Sequence, residues 1–133
     1  MKYGYHANIE ALSVANKNFR EVLYTSQHMQ LVLMTLLPWE AIGLETHSGN
    51  DQFFRVETGM WLCVINGKEY VLESGSGIIV PQGAQHNITN TSTTEPLALY
   101  TIYTPPHHKD WIIRATKQDA SDHEELFDGK TTE

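Results

Sequence analysis

The stretch from Gly75 to Asn90, GSGIIVPQGAQHNITN, restricts what this chain can fold into more than any other. Two short extended runs, Ile78–Val80 and His86–Ile88, are separated by Pro81-Gln82-Gly83. Proline has no amide hydrogen to give to a sheet, and glycine enters left-handed backbone freely, so this tripeptide ends one strand and turns the chain into the next. Upstream, Gly43–Gly59 reads GLETHSGNDQFFRVETG. Glu45 and His47 are two apart and share a face of an extended chain. Ser48-Gly49-Asn50-Asp51 reads as a turn that brings Gln52 back opposite them. If the run carrying His86 lies beside this pair, two imidazoles, a carboxylate and an amide oxygen converge. Two His and one carboxylate form the facial set that suits Fe(II), Mn(II), Ni(II) or Zn(II) and leaves positions open for substrate. Gln52 is the expected fourth, neutral ligand and Asp51 its rival. The parity that Gln52 shares with Phe54 and Val56 favours Gln52. The plainer reading of the same residues is a solvated strand face with a surface imidazole.

Gly75, Pro81, Gly83, His86 and Asn90 fit the pattern G-x5-P-x-G-x2-H-x3-N without a gap. Gly43–Gly59 follows an altered form of G-x5-H-x-H-x4-E-x6-G. Together, in this order, the two resemble the signature motifs of the cupin family. Against that pattern the first Gly is displaced, Glu45 stands where the family has His, and Gln52 stands where it has Glu. The resemblance implies an all-β fold, the double-stranded β-helix or jelly-roll barrel, with one divalent metal ion held by Glu45, His47, Gln52 and His86. Because Glu45 keeps a ligating atom, the site reads as altered rather than lost. A carboxylate in place of an imidazole lowers the charge of the site and favours harder metals such as Mn(II) or Fe(II) over Cu(II). Small cupins are commonly dimers, so the resemblance also implies a homodimer.

The rest of the chain agrees with an all-β domain. Strands are expected at Phe19–Thr25, Met29–Leu37, Gly43–Thr46, Gln52–Glu57, Trp61–Ile65, Lys68–Leu72, Ile78–Val80, His86–Ile88 and Leu97–Tyr103. Asn66-Gly67 is a strong two-residue hairpin signal between two of them. Many short strands with Gly, Pro and Asn turns mean a sandwich or closed barrel. Residues 1–18 form an N-terminal segment, 19–116 the barrel, and 117–133 an acidic tail expected to be a short helix or mobile. With 133 residues, 41% of them hydrophobic, the chain can bury a core without staples. Its formal charge of −7 argues against nucleic-acid or anionic-membrane partners. Cys63, the sole cysteine, alternates with Trp61 and Ile65 and reads as a packed thiol. The polar N-terminus and the shortness of the apolar run Leu31–Leu37 predict a cytoplasmic protein. That run is apolar on both faces apart from Thr35, so a covering layer is needed: another subunit, or residues 1–18.

Two function classes fit. The first is a metal-dependent enzyme, an isomerase, lyase or dioxygenase, acting on a small oxygenated molecule with Glu45 serving proton transfer. The second is a non-catalytic module that binds or senses a small ligand. A phosphosugar isomerase branch of the cupins uses a Gln, His, Glu and His set, but here the Gln and Glu positions look exchanged. Arg55 has the outward parity, so no cation is expected in the cavity to hold a phosphate. Pro105-Pro106-His107-His108 reads as a rigid exposed turn, because adjacent histidines on extended chain point apart.

Overall fold

A computed structural model describes residues 1–133. Ten strands alternate with turns: β1 (Arg20–Thr25), β2 (Gln30–Leu36), β3 (Glu45–Thr46), β4 (Asp51–Val56), β5 (Trp61–Ile65), β6 (Lys68–Leu72), β7 (Gly77–Val80), β8 (Gln85–Asn90), β9 (Leu97–Thr104) and β10 (Ile113–Arg114). Two short helices flank them, α1 (Ile9–Ala15) and α2 (Lys117–Asp122). All pairings are antiparallel, in a six-stranded sheet ordered β10-β1-β2-β9-β4-β7 and a four-stranded sheet ordered β3-β8-β5-β6. The two sheets enclose the core as a double-stranded β-helix, as expected. All ten strands fall within residues 19–116; only β10 went unanticipated, being two residues long with no alternation to read.

Side-chain parity builds the interior. On β4, Gln52, Phe54 and Val56 are buried while Asp51 and Arg55 face solvent. On β8 the same period buries His86, Ile88 and Asn90. Trp61 is fully buried and gives its indole N–H to Thr58 O at 2.8 Å, meeting the polar requirement of a core tryptophan. Asn66 and Gly67 have φ of 47° and 81°, the left-handed pair of a type I′ turn, and join β5 to β6 in the register Ile65↔Lys68. Cys63 is wholly buried, and burial pushes its thiol up to about 11, so it packs rather than reacts.

The second face of β2 is covered from within the chain. Val32, Met34 and Leu36 enter the core cluster, while α1 packs across β2 and β9 on the other side. Thr35, the one polar residue of the apolar run, meets the C-cap of that helix. Its hydroxyl accepts from Asn16 Nδ2 at 3.0 Å and donates to Asn16 O at 2.9 Å. Asn8 caps the other end by accepting from Ala11 N at 3.0 Å.

The acidic tail is tied down. Thr116 caps α2 by accepting from Asp119 N at 3.0 Å. Arg114 then donates to His123 O at 2.7 and 3.0 Å. Farther on, the Glu133 carboxylate accepts from Tyr3 N, Gly4 N and the Tyr24 hydroxyl at 2.8, 2.9 and 2.8 Å. No helix is long and apolar enough to cross a membrane.

Candidate metal centre

β3 pairs with β8 so that Glu45 lies directly across from His86. His47 follows two residues after Glu45 and keeps its face. One ligand atom from each of Glu45, His47 and His86 lies within 4.8 Å of the others. The Glu45 carboxylate accepts from His47 Nε2 at 3.1 Å, and the His47 and His86 rings are 5.4 Å apart between centroids.

The hydrogen bonds around these groups orient them. His86 Nδ1 sits 3.1 Å from Ala84 O. A carbonyl can only accept, so Nδ1 carries the proton and a neutral ring presents a bare lone pair at Nε2. That Nε2 is buried and has no hydrogen-bond partner. Gln52 repeats the pattern: its amide nitrogen donates to Thr101 Oγ1 at 3.0 Å, leaving a buried Oε1 with no donor. Two buried acceptors without donors are costly unless a cation or ligand proton meets them. The neutral His86 imidazole, the Glu45 carboxylate and the Gln52 amide oxygen, with the His47 ring beside them, fit a divalent ion.

Protonation states point the same way. Burial alone would raise Glu45, but the hydrogen bond and charge of His47, with the charges of Arg20 and His86, outweigh it and hold the carboxyl below its ordinary value. Burial pushes His86 down despite its bond to Ala84 O and the nearby Glu45 charge. A deprotonated acid and a neutral imidazole are the ligating forms.

Asp51, the rival to Gln52, lies outside. It is exposed, and its carboxylate accepts from Gln82 N at 2.8 Å. Gln82 returns its side-chain amide to Ser48 O, and Gly83 N donates to His47 O at 2.8 Å. Asp51 thus clamps the Pro81–Gly83 turn against the loop that carries His47.

Pro105-Pro106-His107-His108 is not the exposed turn expected from sequence. His108 is 4% exposed, with Nε2 3.2 Å from the Tyr103 hydroxyl. The His107 ring stands edge-on to His47 at 4.5 Å and stacks on Tyr103 at 5.4 Å. Burial lowers His107 to about 4 and His108 well below its ordinary value. Their segment is drawn in by Gln30, a buried polar residue on β2 whose Oε1 accepts from the His107 and His108 amides at 3.2 and 2.9 Å. Its side-chain nitrogen donates to His108 O at 2.7 Å. A Gln at inward parity on an otherwise apolar strand was the signal available in the sequence. Nor do the adjacent rings point apart: they meet edge-on at 4.8 Å between centroids, and both pack on Tyr103.

Beside the cluster opens a cavity of about 130 Å³. Glu45, His47, Tyr103 and His107 line it, with Arg20 from β1 and Lys117 from α2. Arg55 faces solvent as expected and pairs with Glu57 at 3.2 Å. The absence of a cavity cation inferred from Arg55 was wrong, because Arg20 supplies one. The parity that places it is that of Val22, a core residue two positions on in the same strand.

The cupin domain family profile matches residues 32–103, more than half of the chain and inclusive of every residue of the cluster. The chain belongs to the cupin family. Among solved structures, BH2720 from Bacillus halodurans superposes with a TM-score of 0.88 at 35% identity, covering 91% of this chain and 96% of that one. YrkC of Bacillus subtilis is 40% identical over 85% of this cupin, and L612 of Acanthamoeba polyphaga mimivirus 43% identical over 78%. This cupin spans 63% of the length of YrkC and 67% of that of L612. Cupins commonly bind a metal, and the Glu45, His47 and His86 cluster lies where both signature motifs of this cupin meet.

Proposed function

We propose that this cupin binds one divalent metal ion through Glu45, His47 and His86, with Gln52 as a fourth ligand, and acts as an enzyme on a small oxygenated molecule. The observation that carries the reading is the buried, partnerless Nε2 of His86, held toward its lone-pair form by Ala84 O within a set of ligand atoms 4.8 Å or less apart. When bound, the ion would polarise a carbonyl or hydroxyl oxygen of the substrate. The residues of the chain do the rest. Glu45, ionised and at the cavity wall, accepts a proton at its carboxylate. His107 and Tyr103, stacked on each other, fix the ring of His47 by edge contact. The loss of one unit of charge at Glu45, relative to an imidazole, favours Mn(II) or Fe(II).

A second reading, a ligand-binding module without catalysis, is favoured by the Glu45–His47 pair, which is already hydrogen-bonded at 3.1 Å. Protein purified without a metal-affinity tag decides the metal question by elemental analysis. Wild type should carry stoichiometric metal, and His86→Ala should lose it with its far-ultraviolet circular dichroism unchanged. Equal metal in both removes the proposed site. Turnover of carbonyl substrates by the native metal form, tested against the His86→Ala protein, separates enzyme from binding module.

A further inference from the structure

Arg20 is a guanidinium on the inner face of the barrel that makes no ion pair, although the Glu45 carboxylate faces the same cavity. It shares its face with Val22, lines the cavity beside Glu45 and His47, and its Nε is buried without a hydrogen-bond partner. Its cross-strand neighbour shows the contrast. Arg114, paired with Arg20 in the β1–β10 register, donates to His123 O and reaches the Glu125 carboxylate at 3.5 Å. Two arginines opposite each other repel, and turning Arg114 toward the tail relieves only one of them. Arg20 enters none of the ion pairs of the molecule; its guanidinium carbon lies 5.4 Å from the Phe19 ring centroid, an attractive but weak contact. Lys117, half-buried on α2 at the other side of the cavity, is likewise in no ion pair. Glu124 also borders the cavity, but it is exposed and makes no ion pair with either cation.

Arg20 is half-buried with an Nε that lacks a partner, and an arginine fork matches the two oxygens of a carboxylate. A cavity of about 130 Å³ admits a molecule of only a few heavy atoms. We propose that Arg20, assisted by Lys117, is the carboxylate-binding group of this site, and that the substrate is a small carboxylic acid whose second oxygen, a carbonyl or hydroxyl, faces the Glu45, His47 and His86 cluster. The proposal deepens the metal-site reading and rests on it for the placement of the second oxygen, whereas the acid preference rests on Arg20 alone.

The test is calorimetric titration of pyruvate and of its neutral analogue pyruvamide into the wild-type protein as purified and after loading with Mn(II), with metal content measured on the same samples. Wild type should bind pyruvate at least 10-fold more tightly than pyruvamide, and Arg20→Met should lose roughly 10- to 100-fold of the pyruvate affinity while pyruvamide affinity and metal content stay unchanged. Lys117→Met, a change on a short surface helix, should weaken pyruvate by a smaller factor. Equal binding of acid and amide, no binding of either, or an acid preference that survives Arg20→Met would each overturn the proposal. The wild-type comparison needs no variant, so a poorly folding Arg20→Met leaves it decisive. A protein that takes up no metal yet prefers the acid refutes the metal reading and leaves Arg20 standing.

Discussion

Replacing Thr101 by Val tests whether the amide of Gln52 is held for a metal. Thr101 is fully buried on β9, and its hydroxyl is the acceptor that fixes Gln52 Nε2 at 3.0 Å. Valine nearly preserves the shape and removes that acceptor. The buried amide nitrogen is then left without a partner, at a cost of about 1–3 kcal/mol of stability. The amide also loses the bond that distinguishes its two ends, and a flipped Gln52 would present N–H groups where its oxygen stood. Removing a group that orients a metal ligand lowers affinity about 10- to 100-fold, which is roughly 1.4–2.7 kcal/mol. Competition against a chromophoric chelator measures this directly, while urea unfolding of the same samples measures the stability cost. Thr101→Ser keeps the acceptor and should bind metal like wild type. In a Gln52→Ala background, Thr101→Val should change metal affinity no further, because the group it orients is gone. Unchanged affinity in the single variant, or the same loss in both backgrounds, would show that Gln52 does not ligate.

Two further outcomes rest on packing and on protons. Gly59 and Gly67 both have left-handed backbone, φ 78° and 81°, but a Cβ on Gly59 would fall 2.3 Å from Leu97 Cδ1 whereas one on Gly67 meets nothing within 4 Å. Gly67→Ala should therefore cost about 1–2 kcal/mol, and Gly59→Ala about 1–3 kcal/mol more, in denaturant melts; equal losses would refute the contact. His107 and His108 have folded pKa values depressed below the unfolded value of about 6.5, that of His107 to about 4. The unfolded chain then binds more protons over this range, so the stability of chelator-treated protein should fall as pH drops from about 6.5 toward 4. Exchanging His107 for Asn should flatten that slope, and identical unfolding midpoints at pH 7.5 and pH 5 in the wild type would contradict the burial of both rings.

The strands and the cluster were legible because they rest on local rules. Period-two alternation put Gln52, Phe54 and Val56 inside and Arg55 outside; turn chemistry placed the Asn66-Gly67 hairpin; and the two motifs brought Glu45, His47 and His86 together. What escaped was set by distant partners. His107 and His108 look like a turn beside two prolines until Gln30, far away on β2, is seen to hold their amides. Arg20 sits at the first residue of a strand, where one position of uncertainty reverses its face, and only the completed sheet assigns it to the cavity. Helix α2 reads as acidic tail because its charge dominates its composition, yet its Lys117 and Ala120 border the site. The preference for Gln52 over Asp51 was legible from parity, whereas the Asp51 bond to Gln82 N, which gives Asp51 its own role, was not.

That bond has a consequence for anyone who exchanges parts between related proteins. The His47 loop and the Pro81–Gly83 turn are stitched by Asp51 to Gln82 N, by Gln82 to Ser48 O, and by Gly83 N to His47 O. The two segments are far apart in the chain yet behave as one transplantable cassette. A graft that carries residues 45–52 alone leaves Ser48 O without the Gln82 side chain that meets it, and one that carries the turn alone leaves the amide of Gln82 without the Asp51 carboxylate. Moved together, the two segments bring their own alignment with them, and a residue that touches neither metal nor substrate decides whether the transplant takes.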